Sequence, residues 1–218
     1  MDEQESKFIK YLGFTAGNKI RQVFTMILFL DTETTGLPNR RSASIYHLSN
    51  WPRLVEIAWI ECNENGTVDS EYDQIIKPES FKIPKSASAL HGITTEKAIK
   101  NGIPLNEALK LFCQSLNRSA LCIGHNIDFD VKVINAEFIR TGFFLEHFRF
   151  LWKQTQCTMK SSTKLCRLKT GHGYYKYPKL SELHTKLFGK TYEDRHNALS
   201  DARACMSCYF ELHRRGIL

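Results

Sequence analysis

Met26-Ile27-Leu28-Phe29-Leu30-Asp31-Thr32-Glu33-Thr34-Thr35-Gly36-Leu37 begins with an unbroken apolar run and ends in two acids and a Thr-Gly turn signal. The run is short and bounded by a turn, so it reads as a buried strand rather than a helix. In a strand, residues i and i+2 share a face, so Asp31 and Glu33 project side by side at its end. Two neighbouring carboxylates repel each other and lose hydration, so they need a counter-charge. A divalent cation supplies one, and oxygen ligands favour magnesium or manganese. Asp-x-Glu alone is common, and a solvated strand end carries the same pattern. The partners have to come from elsewhere in the chain.

The 218 residues suit one domain with a sizeable core, and 42% hydrophobic with 24% charged residues is a globular balance. A formal net charge of +7 points to a polyanionic partner, nucleic acid before membrane. Seven cysteines without framework spacing fit reduced thiols in a cytoplasm better than a secreted disulfide scaffold. No apolar run reaches membrane-spanning length, and Met-Asp-Glu-Gln-Glu at the start has the wrong charge for a secretory signal. The expectation is a cytoplasmic protein with no membrane partner.

Residues 1–25 are polar, unlike the rest of the chain, and precede a second methionine, Met26, so they read as an N-terminal extension to a domain at 26–218. Residues 38–53 read as a long loop carrying Arg40, Arg41 and Arg53 without an acid. Leu54–Cys62 and Thr67–Lys77 read as strands joined at Asn65-Gly66, completing a three-stranded antiparallel meander with the first. A loop leads through Ser88–Thr94 to a short helix from Thr95. Pro104 opens a helix with Leu105, Ala108, Leu109, Phe112 and Leu116 on one stripe. Ala120–Gly124 is a short strand, followed by a helix over Asp130–Arg140 that stops at Gly142. Residues 147–181 hold no Asp or Glu but many Lys and Arg, interleaved with Tyr174, Tyr175 and Tyr177. Leu180–Phe188 is a helix, and the last runs from Asn197, a good N-cap, to about Arg214. Its expected buried stripe is Leu199, Ala202, Met206, Tyr209 and His213. The order predicts an α/β fold, a mixed sheet flanked by helices.

Asp130, at the start of its helix, and Asp201, near the start of the last one, sit among apolar neighbours where solubility needs no acid. Asp128 reads as a helix-cap or surface acid. His196 lies outside the last helix, on a loop from which it can swing over whatever Asp201 helps to build. An imidazole there can take a proton from water near neutral pH. Cys205 and Cys208 have metal-like spacing but no second pair at finger spacing, so they read as packed thiols.

FLDTETTGL (29–37), GHNIDFD (124–130) and HNALSDA (196–202) together resemble the three motifs of the DEDD exonuclease superfamily, histidine branch. That family includes the epsilon subunit of bacterial DNA polymerase III and ribonuclease T. The resemblance runs from about Ile27 to Arg214. It implies a ribonuclease H-like fold whose first three strands are antiparallel. It implies two Mg2+ (or Mn2+) held by Asp31, Glu33, Asp130 and Asp201, with His196 as general base. The implied reaction is 3′→5′ hydrolysis of phosphodiester bonds, releasing nucleoside 5′-monophosphates. Leu-His-Gly-Ile-Thr (90–94) also matches a family segment and places His91 near the bound nucleotide. Thr34, Thr35 and Gly36 are expected to meet the terminal nucleotide. The expected partner is a nucleic acid 3′ end, single-stranded DNA before RNA, gripped by the 38–53 loop and the basic 147–181 stretch. A catalytically silent nucleic-acid-binding domain is the rival from another class. Epsilon subunits often continue into a polymerase-binding tail, whereas this sequence stops at Leu218. A stand-alone nuclease is therefore expected ahead of a polymerase-associated one.

Overall fold

The computed structural model describes residues 26–218 except His172, Asp194 and Arg195. The extension expected at 1–25 lies outside the described residues. Strand β1 (Met26–Thr34) is the centre of a five-stranded sheet of order β3-β2-β1-β4-β5. It pairs antiparallel with β2 (Leu54–Cys62), in a register that sets Glu33 opposite Glu56. Strand β3 (Val68–Ile75) pairs antiparallel with β2 across the Asn65-Gly66 turn. Strands β4 (Ser119–Gly124) and β5 (Gln154–Cys157) then add in parallel beside β1. The fold is therefore the mixed ribonuclease H-like α/β architecture, with its first three strands antiparallel.

The unbroken apolar run of β1 follows from burial on both faces. Leu28 and Leu30 face a core with Trp59, Phe112, Phe138 and Phe150, covered by α3 (Leu105–Arg118), α4 (Ile127–Thr141) and α5 (Phe144–Leu151). Ile27 and Phe29 face the opposite core with Ile60, Ile123, Leu183 and Tyr209, covered by α8 (Leu180–Phe188) and α9 (Ala198–Arg214). By strand alternation, Asp31 and Glu33 fall on the α9 side and Thr32 on the α4 side. The end of β4 presses close to β1. A Cβ on Gly124 would stand 2.9 Å from the Ile127 Cδ1 and 3.2 Å from the Leu30 carbonyl, so a side chain there would force both neighbours to shift. Among the described residues, no helix is long and apolar enough to cross a membrane.

Several local readings need correction. Lys85–His91 forms a helix, α1, in the stretch read as loop, and α2 (Thr95–Asn101) comes after it. Only Ala87 of α1 is buried, so the helix leaves no periodic apolar signal. Helix α4 starts at Ile127 rather than Asp130, because Asn126 at φ 77° turns the chain sharply out of β4. The buried stripe of α9 is Ala198, Ala202, Cys205, Cys208, Tyr209 and Leu212, while His213 is exposed. Two four-residue helical turns, α6 (Thr158–Ser161) and α7 (Thr163–Cys166), come after β5 within the basic stretch.

Candidate active site

The carboxyl end of β1 gathers acids from three elements. Asp31 and Glu33 project from the strand toward α9. Thr32 points the other way, and its Oγ1 donates a 2.7 Å hydrogen bond to Asp130 Oδ1 in the first turn of α4. One strand end thus holds two acids and grips a third. Asp201 enters from the first turn of α9, where the Tyr192 hydroxyl hydrogen-bonds to it. Burial, then the charges of Asp130, Asp201 and Glu33, push the Asp31 carboxyl well above its ordinary range. Burial raises Glu33 to about 8, with Asp201, Glu56 and Asp130 adding repulsion. Burial also raises Asp130 to about 7, despite its bond from Thr32. Acids that raise one another in this way form a site short of positive charge, and oxygen-rich donors suit a hard divalent cation.

His196 stands at the rim of this group, exposed, with its backbone in the left-handed region at φ 68°. Asn197 next to it caps α9, its side chain accepting from Ser200 N at 3.0 Å. One donor atom each from Glu33, His196 and Asp201 lie within 4.8 Å of one another. The loop placement of His196 brings it to the acids, as the sequence suggests. Asp128 stays apart, half-exposed and ion-paired with Lys160. Cys205 and Cys208 are buried free thiols.

Glu56 was missed from sequence, although an acid inside the apolar run Leu54-Val55-Glu56-Ile57-Ala58-Trp59-Ile60 was a legible signal. It is 3% exposed, and its Oε2 accepts from the Ala198 amide at 3.0 Å. Its carboxyl is raised to about 7, mainly by burial, and it hydrogen-bonds the Asp73 side chain.

Two cavities lie side by side, the first of them against Glu33. One, about 230 Å³, is lined by Glu33, Thr34, Gly36, Leu37, His91 and Phe129, among others. The second, about 260 Å³, is lined by Leu37, Arg41, Trp51, Asn126, Phe129 and Lys132, among others. Leu37 and Phe129 form the shared wall, and the largely exposed Leu37 was not singled out from sequence. His91 ends α1, and its Nδ1 accepts from Ile93 N at 3.2 Å, which assigns the ring proton to Nε2. The two threonine hydroxyls are engaged within the turn. Thr34 Oγ1 donates to the Gly36 carbonyl at 2.6 Å, and Thr35 Oγ1 accepts from Arg53 N at 2.9 Å.

Residues 28–209 match the RNase T exonuclease family profile. The epsilon subunit of DNA polymerase III from Buchnera aphidicola is 34% identical over 51% of this chain and 45% of its own length. The PolC-type DNA polymerase III of Lactococcus lactis is 32% identical over 54% of this chain and 6% of its own. The chain thus spans less than half the length of these curated relatives. Exonuclease I of E. coli, in a crystal structure with a dT13 oligonucleotide, superposes with a TM-score of 0.70 at 20% identity. That match covers 88% of this chain and 41% of Exonuclease I. Exonucleases of this family depend on divalent metal. With the family profile matched over most of its length, the chain belongs to the exonuclease family and is similar in sequence to part of the DNA polymerase III epsilon subunit.

Proposed function

We propose that this chain hydrolyses phosphodiester bonds at the 3′ end of single-stranded DNA and releases nucleoside 5′-monophosphates. The observation that carries the reading is the approach of Glu33, His196 and Asp201 to within 4.8 Å, beside the mutually repelling Asp31 and Asp130. Asp31, Glu33, Asp130 and Asp201 would hold two divalent cations, magnesium or manganese, which when bound neutralise the scissile phosphate and lower the pKa of the attacking water. His196 is the general base. Its exposed ring takes the proton from that water and passes it to solvent. Thr32 orients the Asp130 carboxylate, and Tyr192 orients that of Asp201. The terminal nucleotide occupies the cavity between Glu33 and His91. The preceding nucleotide crosses the Leu37–Phe129 wall into the second cavity. Arg41 and Lys132 attract phosphate there, and the Trp51 ring, with Lys132 Nζ 5.5 Å from its centroid, forms the floor. The exposed Tyr174, Tyr175 and Tyr177 of the basic stretch supply further stacking surface.

The test is a 5′-labelled oligonucleotide digested with magnesium, with manganese and with EDTA, as DNA and as RNA in parallel. The expected result is a metal-dependent ladder shortening from the 3′ end, faster on DNA. No nucleotide release with either cation would refute the catalytic reading in favour of a silent binding domain. A faster RNA ladder would overturn the substrate preference.

A further inference from the structure

We infer that Glu56, with Asp73 behind it, is a positioning residue that sets the entry of α9 and thereby aims His196 and Asp201 at the strand-end acids. The inference rests on the roles proposed above for those two residues. His196 is a non-glycine residue in the left-handed region, a conformation that persists only where neighbouring contacts hold it. The holding contacts lie just after it. The Ala198 amide, buried at the start of the helix, donates to Glu56 Oε2 at 3.0 Å. Asp73, on β3, hydrogen-bonds both Glu56 and the Asn197 side chain. Glu71, two residues before Asp73 and so on the same face of β3, pairs with Arg203. Strands β2 and β3 therefore grip α9 at Asn197, Ala198 and Arg203, on either side of Asp201.

Strand register explains why this grip sets the geometry of the site. Glu56 stands directly opposite Glu33 across the β1–β2 ladder. The side chain that fixes the helix start and the side chain that faces His196 thus come from one paired position of the sheet. A shift of the α9 entry relative to β2 would move His196 and Asp201 together away from Glu33. A helix N-terminal amide satisfied by a buried carboxylate from another strand is a long-range anchor, unlike the local cap from Asn197 to Ser200.

The test uses the full chain and single-stranded DNA, with kcat and KM measured for Glu56→Ala and Glu56→Gln. Glutamine keeps an acceptor for the Ala198 amide, whereas alanine removes it. The expected result is a fall of about 10–100-fold in kcat for E56A, the range for a lost supporting contact, with KM little changed. E56Q should stay within about threefold of wild type, since the bond survives. Wild-type turnover in the same assay distinguishes failure of this inference from failure of the exonuclease reading. Undiminished kcat in E56A, a loss appearing in KM alone, or E56Q as impaired as E56A would each overturn it. Should E56A fail to fold, Glu56→Asp carries the test: the shorter side chain keeps the charge but withdraws the carboxylate from the Ala198 amide, and an unchanged kcat there would equally overturn the inference.

Discussion

Replacing Glu33 with glutamine should stabilise the metal-free protein at neutral pH while destroying its activity. The ordinary glutamate pKa of 4.5 rises to about 8 for Glu33 in the fold. Because the folded value lies above the unfolded one, the folded state favours the protonated form. Glu33 is therefore harmless at low pH and increasingly destabilising as pH rises from about 4.5 to about 8. At pH 7.5 the unfolded chain has released this proton and the folded chain has kept most of it. At about 1.4 kcal/mol per pH unit over about three units, the penalty is at most roughly 4 kcal/mol. Glu33 is only partly buried, and water reaching it reduces this to about 2 kcal/mol. Glutamine does not titrate and escapes the penalty. The assay is urea denaturation in EDTA at pH 4.5 and pH 7.5, wild type against E33Q. The advantage of the variant should grow by about 2 kcal/mol between the two. Saturating magnesium or manganese should reverse the order by stabilising wild type more, by about 2.7 kcal/mol at a hundred times Kd. An advantage that is equal at both pH values, or a variant that is less stable at pH 7.5, would refute the claim that burial and the neighbouring acids disfavour the Glu33 charge in the metal-free fold.

Three further outcomes rest on the same geometry. His196→Ala should lower kcat by about 10²–10⁴-fold with KM little changed, because the proton acceptor for the attacking water is lost; unchanged turnover would exclude His196 from that role. Lys132→Ala should raise KM for single strands and reduce the salt slope of binding by about one, since it removes one phosphate contact; an unchanged KM and slope would exclude the second cavity from strand binding. Asp128→Asn should leave turnover intact and change stability by less than about 1 kcal/mol, because its pair with Lys160 is half-exposed on both sides; loss of activity would show that Asp128 rather than Asp130 serves the site.

Much of the site was legible because its acids contradict their surroundings. Asp31 and Glu33 interrupt an apolar strand, Asp130 and Asp201 lie among apolar neighbours, and His196 precedes a clear helix cap. Periodicity located β1, β2, α3, α8 and α9 closely, because each buries a face and the core imposes that face on the sequence. Helix α1 buries too little to leave such a trace, and the start of α4 was hidden in a left-handed turn at Asn126. The sequence by itself thus determined most of the residues that are out of place in a core, and so the candidates for chemistry. Only the tertiary structure decided how they meet. Strand alternation sends Thr32 to Asp130 and Asp31 with Glu33 toward α9, while the β1–β2 register sets Glu56 against Glu33 and, through Ala198, ties the helix that delivers Asp201. Thr32 and Asp130 stand 98 residues apart and Glu56 and Ala198 142, a distance across which no local pattern in the chain carries information.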